Sequence, residues 1–255
     1  MARDIAVDED GLIRLQKLLA TSGVASRRKC EELMLDGEVE VDGEVVTRLG
    51  TKVDPRTAVI KVSGKRLPPV SDQMYLVLNK PRGVVSTMSD PQGRSTLTDV
   101  LADVLAADPA LRLFHVGRLD TDTSGLLMLT NDGDFAHRMA HPSFEVEKTY
   151  VAEVTGRIAK NTVADLLAGV TLDDGPVEVR RARILAATAD RSIIELVIHE
   201  GRNRIVRRLL DQVGHPVRQL SRTKFGPIEL GTLASGTTRE LSDDELGELL
   251  DLVGL

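Results

Sequence analysis

Paired prolines at positions 68 and 69 mark the point where this chain changes its folding pattern. They sit in Lys65-Arg66-Leu67-Pro68-Pro69-Val70-Ser71-Asp72-Gln73. Two successive prolines lack backbone donors and interrupt both helices and ladders, so this stretch reads as a linker. Before it, Ile13, Leu15, Leu18 and Leu19 form the apolar stripe of a short helix that stops ahead of Gly23. Ser26 is placed to cap a second helix, with Cys30, Leu33 and Met34 facing inward. Glu38 to Val45 alternates polar and apolar residues around Asp42-Gly43, which predicts a hairpin. Residues 12–70 are therefore expected to form a small domain, and residues 74–255 a larger one.

Beyond the linker, Tyr75-Leu76-Val77-Leu78 reads as a buried strand, and further strand-like runs lie at 126–130, 149–154 and 193–198. Helical patterns appear near 160–168, 205–213 and 241–253. The last opens on Ser242-Asp243-Asp244-Glu245, a capping box. Strands and helices do not alternate regularly, so an α+β fold is expected rather than a doubly wound sheet. The single cysteine, Cys30, excludes an internal disulfide and any multi-cysteine zinc site. No apolar run approaches the roughly 18 residues of a membrane span. The first ten residues are acidic and lack an apolar signal core. No membrane association and a cytoplasmic location are expected.

The net charge of -6 hides a segregated distribution. Residues 199–224 carry seven Arg and Lys against two acidic residues, Glu200 and Asp211. Arg27, Arg28 and Lys29 fall in the first turn of the predicted second helix. Cations there oppose the helix dipole at about 0.3–1 kcal/mol each, a cost reversed when a phosphate binds. With two Tyr, four Phe and no Trp, the chain is poorly equipped to stack many bases. Unstacking a single base needs only one or two aromatics, which singles out Tyr75 and Tyr150.

Three stretches carry candidate chemistry. In Leu78-Asn79-Lys80-Pro81-Arg82-Gly83-Val84-Val85-Ser86-Thr87 a strand ends at Pro81, and Gly83 permits a sharp turn. In Gly117-Arg118-Leu119-Asp120-Thr121-Asp122-Thr123-Ser124-Gly125 an aspartate sits in a polar loop ahead of an apolar strand. Arg118 helps keep that carboxylate ionised, as a nucleophile or base requires. In Glu200-Gly201-Arg202-Asn203-Arg204-Ile205-Val206-Arg207-Arg208 a glycine turn opens an arginine-rich helix. Asp120 and Asp122 also match the Asp-x-Asp-x-Thr signature of haloacid-dehalogenase-type phosphatases. Arg118 interrupts the strand that should lead into that motif, and no downstream acidic pair with a lysine completes a magnesium site. His137 and His141 are four apart but have no third ligand at suitable spacing, so no metal is expected.

Residues 12–60 resemble an S4 RNA-binding domain, on Ile13-Arg14-Leu15-Gln16-Lys17-Leu18-Leu19, Ala25-Ser26-Arg27-Arg28-Lys29 and Gly37-Glu38-Val39-Glu40-Val41-Asp42-Gly43. The resemblance implies RNA contacts by Arg14, Lys17, Arg27, Arg28 and Lys29. The Asp120 loop, Lys148-Thr149-Tyr150 and the late basic motif, in this order, resemble the pseudouridine synthases of the RsuA/RluB type. That implies a mixed, mainly antiparallel sheet and an isomerase acting on uridine in ribosomal RNA or a pre-ribosomal particle. Asp120 would be nucleophile or base, Tyr150 the platform for the base and Arg207 the basic partner of Asp120. Lys80 and Arg118 would support them, while Arg202, Arg204 and Arg208 would grip RNA. Ile205 stands where the pattern more often has Gln. The isomerisation is redox-neutral, so no cofactor is expected, and the chain is expected to act as a monomer. A large-subunit (23S) target is favoured; a small-subunit (16S) target and a non-catalytic RNA-binding assembly factor are the alternatives.

Overall fold

The computed structural model describes residues 8, 10–55, 57–67, 73–108 and 111–255. Residues 68–72 of the expected linker, and most of the acidic N-terminal stretch, lie outside the described residues. The chain forms two compact units. One comprises residues 1–74 with 103–113 and 131–134; the other comprises 75–102, 114–130 and 135–255.

The first unit contains the two expected helices, Leu15–Thr21 and Arg27–Leu35. Ser26 Oγ accepts from Lys29 N at 3.3 Å, satisfying one donor that a helix start leaves open. The hairpin pairs Val39–Val41 with Glu44–Val45. Asp42 and Gly43 both have positive φ, 53° and 89°, the conformation of the tight turn that matches strand twist. Ile60–Val62 and Lys65–Arg66 extend this sheet to four strands. At three and two residues they are too short to show a sequence periodicity. Ile13, Leu15, Leu18, Leu19, Cys30 and Met34 are buried together, so the thiol lies in a core.

The second unit is α+β, built on one mixed sheet. Its order is Arg181–Ala187, Arg191–Ile198, Lys148–Thr155, Val217–Phe225, Thr123–Thr130, Tyr75–Lys80 and Thr238–Glu240. Neighbours along it are antiparallel, except that Val217–Phe225 runs parallel to Thr123–Thr130. The expected strands at 75–78, 126–130, 149–154 and 193–198 all lie in this sheet, and three expected helices form at Lys160–Ala168, Ile205–Gln212 and Asp243–Val253. Arg181–Ala187 escaped sequence reading because it is an edge strand, largely exposed, with only small alanines and Ile184 on its inner face.

One side of the sheet is covered by Phe135, Met139, Leu246, Leu249 and Val253 from helices, packed against Val77, Leu126 and Met128. Tyr75 belongs to this core, with its ring edge-on to Phe135 at 5.1 Å. It is therefore a packing residue. Tyr150 is the tyrosine left for the site.

Candidate active site

The site is assembled at the parallel seam of the sheet. Side chains alternate across a strand, so Lys148 and Tyr150 share the buried side of Lys148–Thr155. Tyr150 pairs with Arg222 on the next strand, and Lys148 with Phe225. Across the parallel seam, Leu220 faces Thr123 and Arg222 faces Gly125. A Cβ at Gly125 would come within 2.2 Å of the Arg222 carbonyl oxygen, so the close approach of these two strands requires glycine.

Above this floor lies a cavity of about 350 Å³. Asp120, Tyr150, Lys148 and Arg222 line it, with Ile205 and Leu220 as apolar wall. A second, more open cleft of about 750 Å³ meets it at Asp120, Arg118 and Arg204, and adds Arg82 and Arg94. The loop, the Lys-x-Tyr strand and the late basic motif, scattered over some hundred residues of sequence, thus converge on one concavity.

The Asp120 loop is held from both sides by the first motif. Ser86 Oγ donates to Leu119 O at 2.6 Å and accepts from Leu119 N at 3.1 Å. Gly83 N donates to Thr121 O at 2.7 Å. Residues 119 and 121 are therefore both pinned, which aims Asp120 without touching its carboxylate. Ser86 was not singled out from sequence, although it stood inside a quoted motif; only packing reveals its two bonds. Lys80 is fully buried and donates to Pro81 O at 3.0 Å and Val84 O at 2.7 Å, tying the same turn. Burial pulls its pKa down to about 8, opposed by the charges of Asp120 and Asp122.

The arginines divide differently from expectation. Arg207 was expected to partner Asp120. Instead its Nη2 donates to Asp122 O at 2.9 Å, and its Nε lies 3.3 Å from the Asp122 carboxylate. Arg204 is the arginine within reach of Asp120, with Nη1 to Oδ2 at 4.0 Å. It also binds Asp122 through both terminal nitrogens at 2.9 Å. The cause is local backbone: Arg204 precedes the helix at φ 48°, a left-handed conformation rare for a side-chain-bearing residue. Asp122 is consequently held below the usual carboxylate range, chiefly by the Arg204 hydrogen bonds. The second Asp of the Asp-x-Asp-x-Thr stretch is thus engaged by two arginines, whereas a phosphatase of that type would need it beside magnesium.

Arg202 and Arg208, expected to grip RNA, are engaged elsewhere. Arg202 binds Glu200 at 2.6 Å, the Asp174 carboxylate at 2.9 Å and carbonyls of the Gly175–Val177 strand. Arg208 binds the other Asp174 oxygen at 2.8 Å and Asn203 O at 2.9 Å. Both fasten the Val170–Leu172 and Gly175–Val177 hairpin. Arg118 is exposed and borders both cavities. In the first unit Arg14, Arg27, Arg28 and Lys29 are exposed. Lys29 pairs with Glu32 at 2.7 Å, and Lys17 with Asp134 of the same unit at 2.6 Å. The His137 and His141 rings lie 5.2 Å apart, tilted by 51°, and among the described residues no cluster of three potential ligands exists.

Lys148 and Arg222 complete the floor and were not assigned roles from sequence. Lys148 Nζ donates to His199 O at 2.6 Å. Burial, then the charge of Arg222, lowers its pKa to about 8. Arg222 looked like one more cation in a basic stripe; its position in a strand beside Gly125 is what buries it.

Residues 74–212 match the family described as RNA pseudouridylate synthase, more than half of the chain. The chain belongs to that family. Residues 13–59 match the S4 domain, which binds RNA. The synthase is 50% identical to an uncharacterized RNA pseudouridine synthase of Mycobacterium tuberculosis, over 95% of each chain. It is 44% identical to ribosomal large subunit pseudouridine synthase B of Bacillus subtilis, over 92% of this chain and 95% of the relative. A crystal structure of a pseudouridylate synthase superposes with a TM-score of 0.64 at 28% identity, covering 93% of this chain and 99% of the other. The synthase is thus an isomerase of the RsuA/RluB type with an N-terminal S4 domain. Among the described residues no helix is long and apolar enough to cross a membrane.

Proposed function

We propose that this synthase isomerises a specific uridine of large-subunit (23S) ribosomal RNA, on free RNA or a pre-ribosomal particle, acting as a monomer in the cytoplasm. The observation that carries the subunit is the likeness, over 92% of the chain, to the relative named ribosomal large subunit pseudouridine synthase B.

The reaction breaks the bond between ribose C1′ and N1 of uracil, turns the base and joins C1′ to C5. The C5 proton is lost and N1 gains one, so atoms and electrons balance without a cofactor. The target uridine leaves its stack at a cost of a few kcal/mol. Tyr150, buried on the cavity floor, offsets part of this, since a base–aromatic contact contributes about 1–3 kcal/mol. Asp120 acts on the ribose or base as nucleophile, or removes a sugar proton. Arg204 holds a positive charge 4.0 Å from Asp120, while Arg207 and Arg204 together anchor Asp122 beside it. Lys80 and Ser86 position the loop, and Ile205 supplies an apolar wall where the family pattern more often has Gln. The open cleft takes flanking phosphates at Arg82 and Arg118, while Arg94 on its wall is paired with Asp90. Arg14, Arg27, Arg28 and Lys29 of the S4 domain grip the RNA through its phosphates.

Mapping pseudouridine in ribosomal RNA from cells with and without the gene tests the substrate: one 23S position should lose its modification. Loss confined to 16S RNA would overturn the subunit, and no loss in either would overturn the ribosomal reading. Asp120→Asn should still bind the RNA yet convert it at least about 1,000-fold more slowly, within the range for a missing acid, base or nucleophile.

A further inference from the structure

Arg222 is 2% exposed, yet it lines the same cavity as Asp120 and Tyr150. Its Nε donates to Leu126 O at 2.8 Å, and its guanidinium lies 4.8 Å from the centre of the Phe225 ring. These contacts fix the plane of the group. Its Nη2 is buried and has no hydrogen-bond partner among the described residues. Thr123 Oγ1, on the neighbouring strand and also lining the cavity, is in the same condition. A buried charged donor without an acceptor is costly, and such groups are retained where a ligand supplies the missing atom. Leu220, Ile205 and Phe225 line the same cavity, so a ligand there meets apolar wall as well as these polar groups.

We propose that Arg222 reads the target base, its guanidinium donating to the O4 carbonyl of uracil, with Thr123 Oγ1 meeting the adjacent N3–H. The assignment rests on the cavity being the seat of the target uridine. Uracil offers an acceptor at position 4 and a donor at position 3. Cytosine offers the reverse, which would set a donor against Arg222 and leave it unpaired. A site built on a required hydrogen bond rejects the wrong partner far more strongly than an apolar pocket does. The contact also strengthens during the reaction. When C1′–N1 breaks, the bonding pair stays on the base and spreads onto O2 and O4. A fixed cation at O4 then stabilises the detached base more than the bound nucleoside, whichever way Asp120 acts. Arg222 transfers no proton in this scheme.

The test combines variants of the full-length protein with substitution of a substrate atom. Ribosomal RNA transcripts made with uridine or with 4-thiouridine, a poor acceptor at position 4, are converted in single turnover. Arg222→Gln should lose about 100-fold or more in rate on the uridine transcript while its affinity changes less than about threefold. Arg222→Lys should recover at least about tenfold, since it restores the charge. The wild type should slow at least about tenfold on the thio transcript, and Arg222→Gln should show little further loss. Equal thio effects in wild type and variant, or a Gln variant that loses affinity in proportion to rate, would overturn the proposal. If Arg222→Gln does not fold, equal wild-type rates on the two transcripts overturn it alone. Wild-type conversion of the uridine transcript tests the ribosomal reading separately. If that fails, total pseudouridine in cells rescued with Arg222→Gln decides: wild-type levels overturn the Arg222 assignment whatever the RNA.

Discussion

Arg204 and Arg207 differ from Arg202 and Arg208 in nothing a sequence records except position, and the structure gives the two pairs opposite tasks. The first pair turns toward the Asp120 loop and meets a carboxylate clamped between them. The second pair turns away, to Asp174, Glu200 and the carbonyls of a hairpin. A guanidinium has five N–H donors, and those of Arg202 are nearly all committed. Its charge shapes the wall of the cavity and is not free for a phosphate. A cluster of arginines is therefore not a count of phosphate contacts; what matters is how many donors remain after the protein has used its own acceptors.

Among these four arginines the largest effect should come from the first pair. Arg207→Ala releases Asp122 and frees the loop that carries Asp120, and single-turnover conversion should fall about 100-fold with folding intact. Arg202→Ala is expected to act on stability instead. It removes charge-assisted bonds to a partly buried site and should cost about 2–3 kcal/mol in denaturant unfolding, while RNA affinity holds. If Arg202→Ala slowed conversion as much as Arg207→Ala at unchanged stability, the division between the pairs would be broken. The S4 domain sharpens the contrast, because its arginines are exposed. Arg27→Ala and Arg28→Ala should each reduce the dependence of RNA affinity on salt by about one unit of slope, without changing the rate of bound RNA.

The smallest effect separates arginine from lysine. Burial holds Lys80 and Lys148 at about 8, below the ordinary 10.5. A depressed lysine opposes folding while protonated; that penalty is full below about pH 8 and fades toward 10.5, where the unfolded chain also loses its proton. Stability should therefore rise between about pH 8 and 10 through these groups. Denaturant unfolding across that range should show a smaller rise in Lys148→Met. Arginine as a side-chain type keeps its charge over this range and gives no such slope.

Much of this molecule was legible in its residues. The Ser26 cap, the Asp42-Gly43 turn and the Ser242–Glu245 capping box are local chemistry, and each forms as its sequence implies. The apolar strands at 75–78, 126–130 and 149–154 declared themselves because both or alternate faces are buried. Arg181–Ala187 did not, because an exposed edge needs no apolar pattern. Val217–Phe225 did not, because its basic residues read as a surface stripe until Arg222 was buried at the parallel seam. Within the site, Asp120, Tyr150 and Arg204 were visible as residues in motifs. Ser86 and Lys148 lay in motifs without a role and Arg222 in a basic stripe; their roles became visible only through what they touch.

The sequence by itself determined the kinds of element, the α+β class, the order of the motifs and the candidate carboxylate at Asp120. These depend on spacing, propensity and residue chemistry within a few positions of each other. The tertiary structure decided which arginine comes within 4.0 Å of Asp120, which arginines are spent on the hairpin, and which buried nitrogen has no partner among the described residues. Those outcomes depend largely on groups tens of positions away, brought within 3–4 Å by one parallel strand pairing and one left-handed residue at Arg204. Hydrogen bonds select partners by distance in space, and a chain read along its length carries no measure of that distance.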